Sequence, residues 1–449
     1  VDHSARRPAE AQSSIRTFVG VGAGNAMEWF DWGIYATFAT FFASQFFASG
    51  DSGADLLRTL AIFAVGFVAR PFGGALFGWL ADRKGRQLSM ALTVALAGGG
   101  SLVIGLTPTY SSIGIAAPLI LLLARLAQGL AHGGELPAAQ TYIAEMAPPE
   151  RRGQWSSLIY VSGSVGVLGG TLLGAVLSGL LTPEQMTAFG WRIPFVLGGV
   201  FGLYALVMRL RLRESDTFLD AADHGADHTA APDADRLPTS FWRALVANPV
   251  AMLRVIGLTV GLTISYYVWA ISAPAYAISA RGIDPQSALW AGSGATVVFI
   301  AVLPLWGRLS DRIGRRPTLI GAGVLLAVLL FPLDALAGTS AWTLFLAMSI
   351  ALVLIAAGAA IVPALYAEMF PTGIRAAGMG VPYSVAVAAF GGTAPYLQSY
   401  FAGIGSPALF TGYAVVALAA STITLLTMPE TKGRDLRQVR KSVARTLEP

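Results

Sequence analysis

Between residues 24 and 35 the chain reads GNAMEWFDWGIY, which places Glu28 and Asp31 inside an apolar segment running from about Thr17 to Phe47. An ionised carboxylate at bilayer depth costs about 2.5 kcal/mol or more unless it is paired, hydrated or protonated. At about 100° per residue, Asn25, Glu28, Asp31 and Tyr35 share roughly a third of a helix circumference. A second apolar segment carries ARLAQGLAHGGE at 124–135. Its Arg125, Gln128, His132 and Glu135 fall within about a quarter of the circumference. Polar stripes of this kind in apolar surroundings belong on the wall of a buried cavity. The chemistry they suit is proton exchange, because a buried acid beside an arginine changes protonation when either influence moves. The expected pairs are Asp31 with Arg125 and Glu28 with His132, with Asp31 staying paired and Glu28 titrating. His132 is a further titrating candidate, since an unperturbed imidazole titrates near neutrality. The plainer reading is a permanent ion pair that only fixes packing.

Arg70, in ARPFGG, stands 12 residues before Asp82 and so well inside the membrane. There it needs an anion, a carbonyl or water. Either a protein carboxylate pairs with it, or Arg70 or Arg125 receives a substrate carboxylate through two parallel hydrogen bonds. Gln128, Tyr35, Tyr266, Tyr267, Trp269 and Tyr383 are the remaining candidates for substrate contact. An aromatic wall is more often packing than binding, yet aromatics also cage quaternary ammonium groups.

The elements that hold these residues follow from composition. Of 449 residues, 55% are hydrophobic and 12% charged, against about 25% charged in soluble domains. Cysteine is absent, which excludes disulfides and thiol chemistry. No metal-ligand cluster and no phosphate-binding Gly-Lys motif point to an enzyme. The net charge of +5 reads as basic cytoplasmic loops rather than nucleic-acid binding. A span needs about 20 apolar residues. Twelve segments qualify: 17–47, 56–80, 88–107, 113–146, 154–181, 191–210, 248–279, 287–307, 317–337, 341–369, 375–402 and 406–428. Basic residues collect at Arg83–Arg86, Arg151–Arg152, Arg209–Arg213, Arg308–Arg316 and in the C-terminal tail, all on one side of this topology. That bias makes both termini cytoplasmic. The expected divisions are a cytoplasmic N-terminus (1–16), a six-helix bundle (17–213), a polar linker (214–246), a second six-helix bundle (247–428) and a cytoplasmic tail (429–449).

The halves echo each other. GWLADRKGRQ at 78–87 matches GRLSDRIGRR at 307–316, and AEMAPPERRG at 144–153 matches AEMFPTGIRA at 367–376. Internal repeats of this kind build secondary transporters, with the site where the halves meet. Independently of any family, Gly78 permits close helix packing, and Asp82 can accept from a helix N-terminus or pair with a cation.

The repeated G-x-L-x-D-R-x-G-R loop resembles the signature of the major facilitator superfamily. With GNAMEWFDWGIY, ARPFGG, ARLAQGLAHGGE and WRIPF, the chain is similar to the metabolite:proton symporter branch over nearly its whole length. His132 departs from the small residue or valine usual at its place in that branch. The resemblance implies an all-α membrane fold of two pseudo-symmetric six-helix bundles. It also implies a cytoplasmic latch made by Asp82 and Arg86, by Asp311 and Arg315, and by Glu145, Arg152, Glu368 and Arg375. The stretch at 368–392 resembles the dicarboxylate-carrying members more than the osmolyte-carrying ones. The expected function is therefore proton-coupled uptake of a small organic anion, a dicarboxylate such as 2-oxoglutarate, by alternating access at the cell membrane. The alternatives are a proton-coupled betaine or proline symporter, a passive facilitator, and a non-transporting sensor. No cofactor beyond the coupling proton, no metal and no nucleic acid are expected. The partners are the substrate, protons and the bilayer, and the carrier is expected to act as a monomer.

Overall fold

The computed structural model describes residues 7–84, 86–133, 135–210, 249–338, 340–370, 375–434 and 436. The expected linker at 214–246 lies outside these residues, as do the side chains of Asp82, Arg86 and Glu135. The chain is helical throughout. In the first half, α1 is Arg7–Phe47 and α2 runs in two pieces, Ser52–Val68 and Arg70–Lys84. Helix α3 is Arg86–Leu106, and α4 is also broken, into Ala116–His132 and Glu135–Met146. Then come α5, Arg152–Leu180, and α6, Arg192–Leu210.

The second half repeats the plan. Helix α7 comprises Pro249–Tyr266, a π turn Tyr267–Ser272 and Ala273–Arg281. It is followed by α8, Pro285–Ile313, α9, Arg315–Leu336, and α10, Ala341–Met369. Helix α11 is Arg375–Ala386, a π turn Val387–Gly391 and Ala394–Gly403, and α12 is Pro407–Leu426. Among the described residues, nine of these segments are long and apolar enough to cross a membrane. The other three are α1, α4 and α11. Both π turns stand next to prolines, Pro274 and Pro395, whose missing N–H forfeits a backbone bond and displaces the helix locally.

Small residues set the packing. A Cβ at Gly133 would collide with the Arg70 carbonyl, one at Gly129 with the Gly66 carbonyl, and one at Gly73 with the Leu130 carbonyl. The backbones of α2 and α4 therefore touch where both helices break. That contact carries Arg70, Arg125 and His132 into one neighbourhood. In lipid the drive for such association is van der Waals packing rather than the hydrophobic effect, which favours small residues at the seam. Gly166 of α5 seats against the Ala26 carbonyl of α1 in the same way.

Candidate functional site

Asp31 is buried, and its Oδ1 accepts from Ser101 Oγ at 2.8 Å. Ser101 in turn accepts from Gln128 Nε2 at 2.9 Å, and Gln128 Oε1 accepts from Arg125 Nη1 at 2.9 Å. The expected Asp31–Arg125 ion pair is thus corrected to a relay through α3 and α4, with the two charges separated by two neutral side chains. Gln128 is consumed in this relay and does not face the centre of the carrier. When Asp31 takes a proton only its link to Ser101 can invert, because Gln128 Nε2 and Arg125 Nη1 are donors only.

Arg125 is fully enclosed, its guanidinium 4.0 Å from the Trp32 ring, 4.3 Å from Tyr35 and 5.3 Å from Phe63. Arg70 covers Trp32 at 4.1 Å and Phe67 at 4.5 Å. Trp32 therefore lies against two arginines, each stabilised by the negative face of the ring. Glu28 lies 3.9 Å from Arg70 Nη2 and 3.9 Å from His132 Nδ1. Both separations exceed hydrogen-bond length, so these are loose charge contacts. The expected approach of Glu28 to His132 is present, and Arg70 also has Glu28 within reach. Arg70 Nε and Arg125 Nε and Nη2 have no hydrogen-bond partner among the described residues.

A small central pocket of 20 Å³ lies where the halves meet. The first half supplies Trp29, Gln140 and Tyr160, and the second Thr263, Tyr266, Tyr267, Tyr366 and Tyr383. Trp29 packs edge-on to Tyr266 at 5.4 Å and stacks on Tyr267 at 6.3 Å. Tyr267 also meets Phe67 edge-on at 5.1 Å, which brings the pocket beside Arg70. So small a volume leaves no room for a small organic substrate in this arrangement.

The expected substrate contacts divide. Tyr266, Tyr267 and Tyr383 line the pocket. Trp269 does not: about 200° round the helix from Tyr267, it lines a separate pocket with Leu330, Asp334 and Phe410. Tyr35 does not either, since its ring packs on Phe42 and Phe63 and its hydroxyl donates to the Thr59 carbonyl at 3.0 Å. Sequence reasoning missed Trp29, Trp32, Ser101, Gln140, Tyr160 and Tyr366. Aromatic and hydroxyl residues in an apolar span read as packing until a partner helix is known. Arg192 donates to the Gly105 and Thr107 carbonyls at 2.8 and 2.7 Å, so it caps the end of α3.

At the end carrying the basic loops, charges tie the halves together. Arg152 Nη1 of α5 meets Glu368 Oε1 of α10 at 2.9 Å, and Arg375 of α11 pairs with Glu145 of α4. Asp311 of α8 accepts from the N–H groups of Gly153 and Gln154 at 2.9 and 3.0 Å, at the positive end of α5. Arg315 joins Asp311 at 2.6 Å and Glu368 at 3.3 Å. All six described members of the expected latch meet here. The chain after α12, which reads as a plain tail in the sequence, also takes part. Thr431 Oγ1 donates to Glu368 at 2.6 Å, and Arg152 donates to the Arg434 carbonyl at 3.1 Å. Gly314, with φ of 112°, turns the chain so that the N–H groups of Arg315 and Arg316 meet Glu430 at 2.9 Å. Partial burial works to raise the Glu430 carboxyl, but donated backbone N–H bonds outweigh it and hold the group below the ordinary carboxylate range.

Two six-helix halves, a central pocket between them and a charge latch at one end define a multi-pass membrane transporter, not an enzyme. Residues 17–442 match the family described as "Sugar (and other) transporter", and the chain belongs to that family within the major facilitator superfamily. It is 36% identical over 431 residues to the alpha-ketoglutarate permease of Escherichia coli (strain K12), covering 96% of each chain. It is 30% identical over 433 residues to a putative proline/betaine transporter of Staphylococcus aureus (strain MSSA476), covering 95% of this chain and 91% of that one. The proline/betaine transporter of Salmonella typhimurium is also 30% identical, over 94% of this chain and 85% of its own. Among solved structures, the proton:xylose symporter XylE bound to 6-bromo-6-deoxy-D-glucose aligns with a TM-score of 0.73 at 17% identity, over 95% of this chain and 98% of that one. That likeness establishes the major facilitator fold.

Proposed function

We propose that the chain is a proton-coupled symporter that takes up a small organic anion, a dicarboxylate such as 2-oxoglutarate, by alternating access. The carrying observation is Arg70. It is buried at the edge of the central pocket, charged, and held by Glu28 only at 3.9 Å, with its Nε unpartnered among the described residues. A substrate carboxylate would complete its planar fork through two short bonds. In this reading protonation of Glu28 releases Arg70 for the substrate, so the proton and the anion enter together. Asp31 is the second proton site, reporting to Arg125 through Ser101 and Gln128, with His132 beside Glu28. The 36% identity to a permease for alpha-ketoglutarate supports the substrate class. The basic bias of the loops supports a cell-membrane orientation with both termini cytoplasmic. The latch then closes the cytoplasmic side, and one chain supplies the whole central pocket.

A second reading rests on the aromatic pocket. Trp29, Tyr160, Tyr266, Tyr267, Tyr366 and Tyr383 could enclose the ammonium head of betaine, and proline/betaine transporters are among the relatives. Binding titrations of 2-oxoglutarate and betaine decide between them, using the parent, Arg70→Lys and Trp29→Leu. The anion reading expects 2-oxoglutarate to bind the parent and to lose at least tenfold in Arg70→Lys, because lysine keeps the charge but not the fork. Betaine binding that vanishes in Trp29→Leu, with no 2-oxoglutarate binding to the parent, would replace it.

A further inference from the structure

We propose that protons reach Asp31 and Glu28 through a water-filled cavity inside the first half, on a route separate from that of the substrate; this rests on the proton-coupled reading above. A cavity of about 200 Å³ lies between α1, α3, α4 and α6. The central pocket measures 20 Å³ and touches neither acid. With about 30 Å³ per liquid water, the larger cavity has room for several waters.

The floor of the cavity is polar. It consists of Glu28, Asp31 and His132, which are 4%, 6% and 6% exposed. Gly98 of α3 packs against Gly202 of α6, and Gly198 of α6 against Asp31, while Met27, Phe30, Val94 and Phe201 complete the walls. The rim includes Thr93 and Ala205, each about 10 Å or less from the basic-loop end of its helix at about 1.5 Å per residue. Phe201 on the rim is 51% exposed. The opening is therefore in the half of the membrane nearer the basic loops, on the outer flank of the bundle rather than between the halves.

Helix α1 is the partition. Trp29 and Asp31 are about 200° apart on a helix of 100° per residue, and the structure uses that difference. Trp29 faces the central tyrosines, while Asp31 faces the intra-bundle cavity. Asp31 is met by Ser101 from α3 and by Arg125, through Gln128, from α4; α6 brings only Gly198 against it. Glu28 is faced by Arg70 from α2, His132 from α4, Tyr267 from α7 and Tyr383 from α11. From α5 the nearest titratable group, Tyr160, packs on Trp29 on the other side. Water suits this space better than an acyl chain, because His132 Nε2 is buried there with no hydrogen-bond partner among the described residues.

The test uses the absence of native cysteine. Ala97→Phe and Ala205→Phe fill the cavity without touching the central pocket. They are expected to slow pH-gradient-driven uptake of whichever of 2-oxoglutarate or betaine the parent accumulates by at least tenfold. Counterflow of the same substrate, which needs no net proton release, should stay within twofold of the parent. A Thr93→Cys variant should react with a charged, water-soluble thiol reagent, and saturating substrate should not protect it. Filled variants that accumulate substrate like the parent, or that lose counterflow equally, would overturn the route. So would Thr93→Cys reacting only with an apolar, membrane-soluble maleimide, which would mean a lipid-filled groove. A parent that shows no pH-driven uptake at all would instead defeat the proton-coupled reading itself.

Discussion

In the proposed latch Glu368 is the pivot, and neutralising it gives a calculable shift. It is fully buried, contacts Arg152 at 2.9 Å, Arg315 at 3.3 Å and Thr431 at 2.6 Å, and lies on α10. Only contacts that differ between the two access states move their equilibrium. Arg315 and Thr431 belong to the same half as Glu368, so those contacts survive when the halves separate. The Arg152 contact crosses between halves and is lost. A hydrogen bond to a charged group contributes about 1.5–3 kcal/mol; taking about 2 kcal/mol, Glu368→Gln should favour opening at the basic-loop side by roughly thirtyfold. Glu145 also pairs across the halves, but its side chain is 39% exposed. Solvent screening holds that contact below about 1 kcal/mol, so Glu145→Gln should shift the balance by less than roughly fivefold. The assay is the reaction rate of a cysteine placed at Gln140, buried in the central pocket on the lower piece of α4. A charged thiol reagent is applied from the basic-loop side. An unchanged rate in Glu368→Gln, or a larger rise in Glu145→Gln, would refute the assignment of the latch.

Asp31→Asn and Glu28→Gln should each abolish uphill, pH-driven uptake, and at least one should retain counterflow; two variants that accumulate substrate like the parent would place the proton sites elsewhere. Ser101→Ala cuts the relay between Asp31 and Arg125 and should lower the coupled rate while leaving substrate affinity within about threefold, read by comparing uptake with binding. Gly133→Ala drives a methyl into the Arg70 carbonyl and should destabilise the detergent-solubilised protein by about 1–3 kcal/mol, seen as a lower Tm, with Gly321→Ala, in open space, as the control. Glu430 is held below the ordinary carboxylate range, so its stabilisation is complete above that range and fades as pH falls through the lowered value; Glu430→Gln should flatten that acid portion of the Tm profile.

Much of the fold was legible because it rests on counts and repeats. Apolar length gave the twelve segments, and the duplicated loops at 78–87 and 307–316 gave the two halves. The latch came from the resemblance of those loops to the major facilitator signature rather than from the residues alone, and its six described members lie together at one end. Rotational detail was less legible. Trp269 groups with Tyr266 and Tyr267 by closeness in sequence, although two residues of helix already turn it about 200° from Tyr267, and it lines a separate pocket within the second half. The Asp31–Arg125 pair failed for a different reason: an apolar-looking α3 hides Ser101, whose hydroxyl is short enough to read as helix packing. The role of Glu430 was hidden because its partners are backbone N–H groups of α9, which leave no mark in the sequence.

The two surfaces of α1 explain how proton and substrate could act on each other without a long chain of contacts. Trp29 faces the central pocket, while Glu28 and Asp31 both line the intra-bundle cavity and Glu28 also reaches Arg70 at the pocket's edge. Trp32, one turn after Glu28, lies against both arginines, at 4.1 Å from Arg70 and 4.0 Å from Arg125. A change of charge at either acid therefore alters the field on an arginine that shares one indole with the other. Coupling then needs only a small rotation or tilt of one helix whose two faces meet different compartments. Such an element can hold two discrete arrangements that both sites bias, the physical requirement for coupling. It follows that Trp32→Leu, which removes the shared ring but no charge, should uncouple more than it unbinds: substrate affinity should fall by less than about tenfold, at about 0.5–2 kcal/mol per cation–π contact, while the substrate-to-proton ratio drifts from a whole number. Tight, whole-number coupling in Trp32→Leu would show that the arginines communicate by another path.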